Sequence, residues 1–305
     1  MTQEQEKLLG RISEKFKAID QNPDVHLEGL IWAKPITYWD YIHTDALLSL
    51  QLQRTTEPDE MVFIMYHQVN EILFKMILWE IDQVCKTDKE ITAAFFSEKL
   101  MRVSRYFDML SSSFSIMGDG MEREQYMKFR NTLTPASGFQ SAQYRLIEFA
   151  STELINLIDF RFRATIDRNT PYEHAYEHLY WQAAGKDHAT GKKNTLIRLF
   201  EEKYKAQFLR EMEAYNTSNL YTKFKALPEN VRSDENLIKA MRHYDYTVNV
   251  TWVMAHYHAA EKYLGKAEAT GGSDWRKYMH PKYQRRIFFP DLWSKDELEH
   301  WGENV

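Results

Sequence analysis

Hydrophobic positions recur in steps of three and four along almost the whole chain, and no segment alternates with the period of two that a strand requires. The strongest run is 61–81, MVFIMYHQVNEILFKMILWEI, where Val62, Met65, Val69, Ile72, Met76 and Trp79 mark one helix face. His67 lies about 200° around from Met65 and shares a second face with Phe63, Glu71 and Phe74. A helix apolar on two faces is expected to be buried on both, which turns His67 toward an interior walled by aromatic rings. Read by itself, such a histidine is more often a core group satisfied by a neighbouring carbonyl. The same period predicts helices over 2–20, 36–53, 91–117, 121–133, 138–167, 171–184, 193–214 and 233–264. Leu8, Ile12, Phe16 and Ile19 form the apolar face of the first, and the NPD turn at 22–24 closes it. No internal repeat or low-complexity linker interrupts the series. The pattern predicts an all-α fold, a single helical-bundle domain over 1–305 with about ten helices.

Composition narrows this reading. Eleven glycines and eight prolines among 305 residues leave few turns, as a helical chain requires. Eight tryptophans and thirteen methionines suit a roomy, irregular interior. A net charge of −5 with the signs mixed argues against a nucleic-acid surface, where a basic stripe is expected. The single cysteine, Cys85, excludes an internal disulfide framework and suits a reducing compartment. The N-terminal MTQEQEKLLG lacks a signal peptide's apolar segment, and no run approaches the roughly 18 apolar residues of a membrane span. A soluble, cytoplasmic protein is expected.

Four further stretches carry candidate chemistry. Tyr126 and Arg130 are four residues apart, so a helix projects them from one face. The arginine's planar fork suits a carboxylate, and the phenol adds a donor. A surface arginine paired with Glu122 or Glu124 is the plainer alternative. Pro135 and Gly138 then end that helix, and Ser137 with Gln140 has the spacing of a capping box for the next. In the helix expected over 233–264, Ser233 serves as cap, and Gly265 falls just past the end. His256 there lies between Val248 and Trp252 above and Ala259, Ala260 and Tyr263 below, while His258 faces elsewhere. Small alanines leave room for a flat group beside the imidazole, although a lone histidine on an apolar stripe is usually core. The glycines of ATGGS at 269–273 suggest a mobile lid. Finally, His174, Glu177 and His178 fit H-x-x-E-H, an inverted zinc-protease pattern, against which stands an ordinary solvated helix face.

FIMYHQVNEILFK resembles the signature helix of the tryptophan 2,3-dioxygenase family, keeping Phe63, Ile64, His67, Gln68, Glu71, Phe74 and Lys75 and departing at Leu73, where tryptophan is usual. YMKFRNTLTPASGFQSAQYR is similar to the family's second signature, F-R-x-x-L-x-P-A-S-G-F-Q-S. His256 precedes the helix-ending glycine by the same interval as the family's proximal histidine, Thr270 matches its T-G-G loop, and RIFFPDLW resembles its C-terminus. The loop after Ser273 is shorter than usual.

The resemblance implies an all-α enzyme with one haem b per subunit. It cleaves the indole C2–C3 bond of L-tryptophan with O2 to give N-formylkynurenine, the first step of the kynurenine pathway of tryptophan catabolism. It makes His256 the axial iron ligand, with Ser137 and Gly138 also at the cofactor. His67 is the catalytic residue beside the indole N–H. Phe63 and Leu133 wall the indole, Arg130 and Tyr126 hold the carboxylate, and Thr270 lies near the ammonium and carboxylate. Tyr38, Tyr41 and Ile42 act from a neighbouring subunit, the N-terminal helices (about 1–54) making subunit contacts in a homotetramer, a dimer of dimers. A related haem-dependent aromatic amino-acid hydroxylase, or a non-catalytic haem- or tryptophan-binding protein, are the alternatives.

Overall fold

The computed structural model describes residues 1–187, 190–264, 276 and 279–303, and divides the chain into two compact units, Met1–Gln51 and Leu52–Val305. In the first, α1 (Gln3–Lys17) is opened by a capping box in which the Thr2 amide donates to Gln5 at 2.7 Å. The NPD triplet does more than close it. The Asn22 side chain accepts from the Asp24 amide at 3.0 Å and Pro23 takes the first turn, opening α2 (Pro23–Trp32), which the periodicity had left unread. The helix expected over 36–53 is two short ones, α3 (Tyr38–Ile42) and α4 (Thr44–Leu47), because His43 between them sits at φ 57°, in the left-handed region. Pro23 is the only buried residue in this unit.

The second unit holds α5 (Asp59–Cys85), α6 (Ala93–Ser112), α7 (Phe114–Gly118), α8 (Arg123–Arg130), α9 (Ala142–Ser151), α10 (Tyr172–Tyr176), α11 (Thr195–Asn216), α12 (Leu220–Lys225) and α13 (Glu229–Arg232), followed by α14 (Glu235–Tyr246), α15 (Trp252–Leu264), α16 (Pro281–Gln284) and α17 (Lys295–Glu299). No strand occurs among the described residues, only isolated bridges such as Ile158 with Leu179. The fold is all-α. Helix α5 packs against α6 and α9, α14 against α6, and α15 against α7. Phe74, Ile77, Phe107, Tyr144, Phe208 and Tyr244 belong to the main core.

The central helix corrects one expectation. Of the stripe that defined it, Val62 is half-buried, but Met65, Val69, Ile72, Met76 and Trp79 are 40–71% exposed, and burial falls instead on Tyr66, Leu73, Phe74, Ile77 and Ile81. Periodicity marks a face without saying which face meets the core. By length and composition α5 also satisfies the requirement for a membrane span, contrary to the sequence expectation. Its acidic side chains are nevertheless engaged within the protein: Glu71 accepts from Gln143 at 2.8 Å and Glu80 from Lys99 at 2.8 Å.

Several expected helices are broken by contacts distant in sequence. The one over 138–167 becomes a short 3-10 turn, α9 and a second 3-10 turn, Leu154–Leu157. It stops at Thr152, whose hydroxyl donates to the Phe288 carbonyl at 2.5 Å. The one over 233–264 begins at Asp234, which accepts from the Leu237 amide at 2.9 Å, whereas the Ser233 hydroxyl turns back to Glu229. It also carries a π-helical turn, Thr247–Thr251, between α14 and α15.

Candidate active site

His67 projects from an unbroken stretch of α5, and its Nδ1 lies 2.8 Å from the carbonyl oxygen of Phe63, one turn back. A carbonyl can only accept, so Nδ1 carries the proton and Nε2 presents a lone pair. Burial pushes the His67 pKa down, outweighing the upward pull of the Phe63 carbonyl and the Glu71 charge. The ring is therefore a neutral acceptor. Phe63 lies against it at 4.1 Å between centroids, and Tyr66 meets it edge-on at 5.4 Å.

These rings border a second, smaller core. Tyr66, Met117, Met121, Phe129 and Tyr263 form it, with Val62, Phe63, Phe114, Tyr126 and Leu133 packed against it. The sequence-selected Phe63, Tyr126 and Leu133 thus converge although they come from α5, α8 and the turn after α8. Arg130 is buried, and its side chain hydrogen-bonds Tyr126 as the spacing predicts. Burial raises the Tyr126 phenol above its ordinary pKa, while the Arg130 charge pulls against that rise. The plainer pairings are taken up elsewhere: Glu124 pairs with Lys128 at 3.5 Å and Glu122 accepts from Gln125 at 3.0 Å.

His256 projects from α15 beside the same core. Phe114 stacks on its ring at 5.2 Å, nearly parallel at 12°, and Trp252 lies 6.1 Å away. Burial, with the nearby His67 pushing the same way, lowers its pKa from 6.5 to about 4. Neither ring nitrogen has a hydrogen-bond partner among the described residues, leaving a neutral imidazole with an uncommitted lone pair. That donor chemistry fits the axial ligand of a haem iron. His258 is exposed and turned against Tyr257, so the distinction between the two histidines drawn from helical phase holds.

The remaining candidates are placed less centrally. Ser137 and Gly138 lie in the connection between α8 and α9, where the Ser137 amide donates to Gln140 at 3.2 Å as the capping-box spacing predicts. Space is open where a side chain on Gly138 would begin. Tyr38, Tyr41 and Ile42 are exposed on α3 of the first unit. Thr270 and its glycines lie outside the described residues. Sequence reasoning did not single out Tyr66, Phe114 or Phe129. For Phe114 no local signal existed, since its place against His256 arises only from the packing of α7 on α15.

The H-x-x-E-H stretch is built for something else. Lys186, Lys193 and Lys205 surround Glu177 at 3.0, 2.7 and 2.8 Å. Partial burial pushes the Glu177 carboxyl up, but hydrogen bonds from the three lysines outweigh it and hold the pKa at about 2. His178 Nδ1 is 2.9 Å from the His174 carbonyl. A carboxylate so occupied is no base for a zinc-bound water.

Known proteins resemble this chain over most of its length. A family model described as tryptophan 2,3-dioxygenase matches residues 31–235. Among similar curated proteins, a tryptophan 2,3-dioxygenase of Ruegeria sp. is 26% identical over 274 residues, covering 86% of this chain and 92% of its own length. The Bacillus cereus and Bacillus anthracis proteins of the same name are 28% and 29% identical, each over 85% of this chain and 91% of their own. The match spans two thirds of the chain and includes both histidine-bearing and arginine-bearing signatures up to residue 235. This chain belongs to the tryptophan 2,3-dioxygenase family.

Proposed function

We propose that this chain is a haem-dependent dioxygenase that cleaves the indole C2–C3 bond of L-tryptophan with O2, giving N-formylkynurenine. The observation that carries the reading is the pair of half-buried, neutral histidines beside one aromatic core, His67 with Nδ1 tied to its own helix and His256 with neither nitrogen hydrogen-bonded among the described residues. In this reading His256 would hold the haem iron, and haem b, one per subunit, would supply the oxygen chemistry when bound. Ser137 and Gly138 would lie at its edge.

The chain's own residues bind and orient the amino acid. Arg130 and Tyr126 hold the carboxylate, while Phe63 and Leu133 wall the indole and exclude water. Nε2 of His67 accepts the indole N–H. A depressed pKa makes His67 an acceptor that orients the ring rather than a base strong enough to deprotonate it. Thr270 is assigned to the ammonium and carboxylate. Tyr38, Tyr41 and Ile42 are assigned to a neighbouring subunit's pocket in a homotetramer, a dimer of dimers. The exposed aromatic surface of α3, in a unit with almost nothing buried, supports that assignment. A cytoplasmic location suits the lone, buried and unpaired Cys85.

Turnover of tryptophan under labelled O2 tests the activity: both labelled atoms should appear in N-formylkynurenine. A hydroxylated amino acid would instead identify a related hydroxylase. Haem and tryptophan binding without oxygen consumption would identify a binding protein. Light scattering tests the assembly, since a fully active monomer would remove the trans contribution.

A further inference from the structure

The helix bearing His256 is not continuous with the one before it. Helices α14 and α15 are joined by the π-helical turn Thr247–Thr251, which adds one residue to the helical path. At about 100° per residue, the twelve steps from Tyr244 to His256 would leave the two side chains about 120° apart in a regular helix, whereas one inserted residue brings them to within about 20°. The aromatic contacts follow the second geometry. Phe107 touches both Tyr244 and Trp252, at 6.1 and 6.2 Å, and Phe114 touches both Trp252 and His256, at 6.3 and 5.2 Å. One row of rings from α6 and α7 therefore faces one row from α14 and α15.

The turn is clamped from outside by the C-terminal segment. The Asn249 side chain, within the turn, accepts from Arg286 Nε and donates to Asp245 at 2.6 Å. Arg286 also reaches the Val248 carbonyl at 3.4 Å, Tyr144 at 2.6 Å, and Glu148 on α9. Asp245 in turn receives the Phe288 and Phe289 amides at 2.8 and 3.0 Å and the Trp293 indole N–H at 2.9 Å. Arg286, Asn249, Asp245 and Glu148 are each at most 2% exposed. A buried network of this kind is stable only when fully connected, and it permits one arrangement of the turn.

We propose that Arg286 and Asn249 are positioning residues for His256: by locking the π-helical turn they set the rotation of α15 and aim the imidazole at the haem iron. This rests on reading His256 as the axial ligand. Arg286→Lys keeps a charge for Glu148 but cannot also bridge Asn249 and Val248, and Asn249→Ala removes the bridge while leaving the Arg286–Glu148 pair. The test titrates each purified full-length variant with haem and records the histidine-ligated absorption and magnetic resonance signatures. Both variants should bind haem roughly ten- to a hundred-fold more weakly, with a reduced histidine-ligated fraction, as for other residues that orient a metal ligand. Added imidazole should restore the ligated spectrum. Glu80→Gln breaks a different buried ion pair, with Lys99 and Arg102, and serves as the stability control with the native spectrum retained. Should Arg286→Lys fail to fold, Asn249→Ala carries the test alone. Native affinity and spectrum in the folded variants, while His256→Ala loses the ligated signature, would overturn the inference and leave the ligand assignment standing. An unchanged spectrum in His256→Ala would overturn both.

Discussion

The two histidines at the site are positioned by opposite means. His67 stands on an uninterrupted helix, and the atom that sets its tautomer, the Phe63 carbonyl oxygen, belongs to the preceding turn of that same helix. His256 stands beyond a π-helical turn, has no such local bond among the described residues, and is held by stacking on Phe114 from another helix. A locally fixed acceptor suits a group that must present one lone pair to a substrate. An uncommitted imidazole suits a group whose bond is made to a cofactor. The difference teaches that two half-buried, neutral histidines need not share a role; what each ring nitrogen is already bonded to separates them.

The comparison is broken most sharply at His256. Replacing it with alanine should abolish the histidine-ligated haem spectrum, whereas His258→Ala should leave that spectrum nearly intact; the reverse result would exchange their roles. The next largest effect is expected at Arg130. In a water-poor pocket, removing one partner of a hydrogen-bonded charge pair costs roughly 2–5 kcal/mol, so Arg130→Leu should lower kcat/KM for tryptophan by roughly thirty-fold or more. Haem content should be unchanged. Tryptamine, which lacks the carboxylate, should lose much less; equal losses for the two substrates would make Arg130 structural.

A smaller change is expected on the His67 side. Loss of one buried hydrogen bond to the indole N–H corresponds to roughly 1–3 kcal/mol, so His67→Phe should reduce kcat/KM by about ten-fold or somewhat more while haem remains bound. Loss of the histidine-ligated spectrum in His67→Phe would erase the contrast between the two rings. The smallest effect lies outside both. Glu177, held by three lysines with its pKa lowered from 4.5 to about 2, stabilises the folded state fully above pH 4.5 and progressively less as the pH falls toward 2. Glu177→Gln should therefore cost about 1 kcal/mol in denaturant unfolding near neutral pH, shrinking in acid, with no change in activity. A large activity loss would return the H-x-x-E-H stretch to the list of chemical sites.

What the sequence determined by itself was whatever depends on neighbours within a turn or two. The three-and-four spacing established helices. The four-residue interval joined Tyr126 to Arg130, the two-residue interval separated His256 from His258, and the Ser137–Gln140 spacing marked a turn that the structure contains. Each follows from the fixed rise and rotation of an α-helix. Tertiary structure decided where those helices stop and which faces they bury. The 138–167 pattern runs past Thr152, but the hydroxyl there bonds a carbonyl 136 residues away and the helix ends. The stripe from Met65 to Trp79 is the most regular in the chain, yet it faces outward, because periodicity carries no information about which neighbour is present. Phe114 reaches His256 for the same kind of reason: α7 packs on α15, and only the folded chain brings them together. The π-helical turn was invisible because it adds one residue without changing the residue types, and Arg286, which clamps Asn249 from 37 positions away, meets it only after the C-terminal segment has folded back.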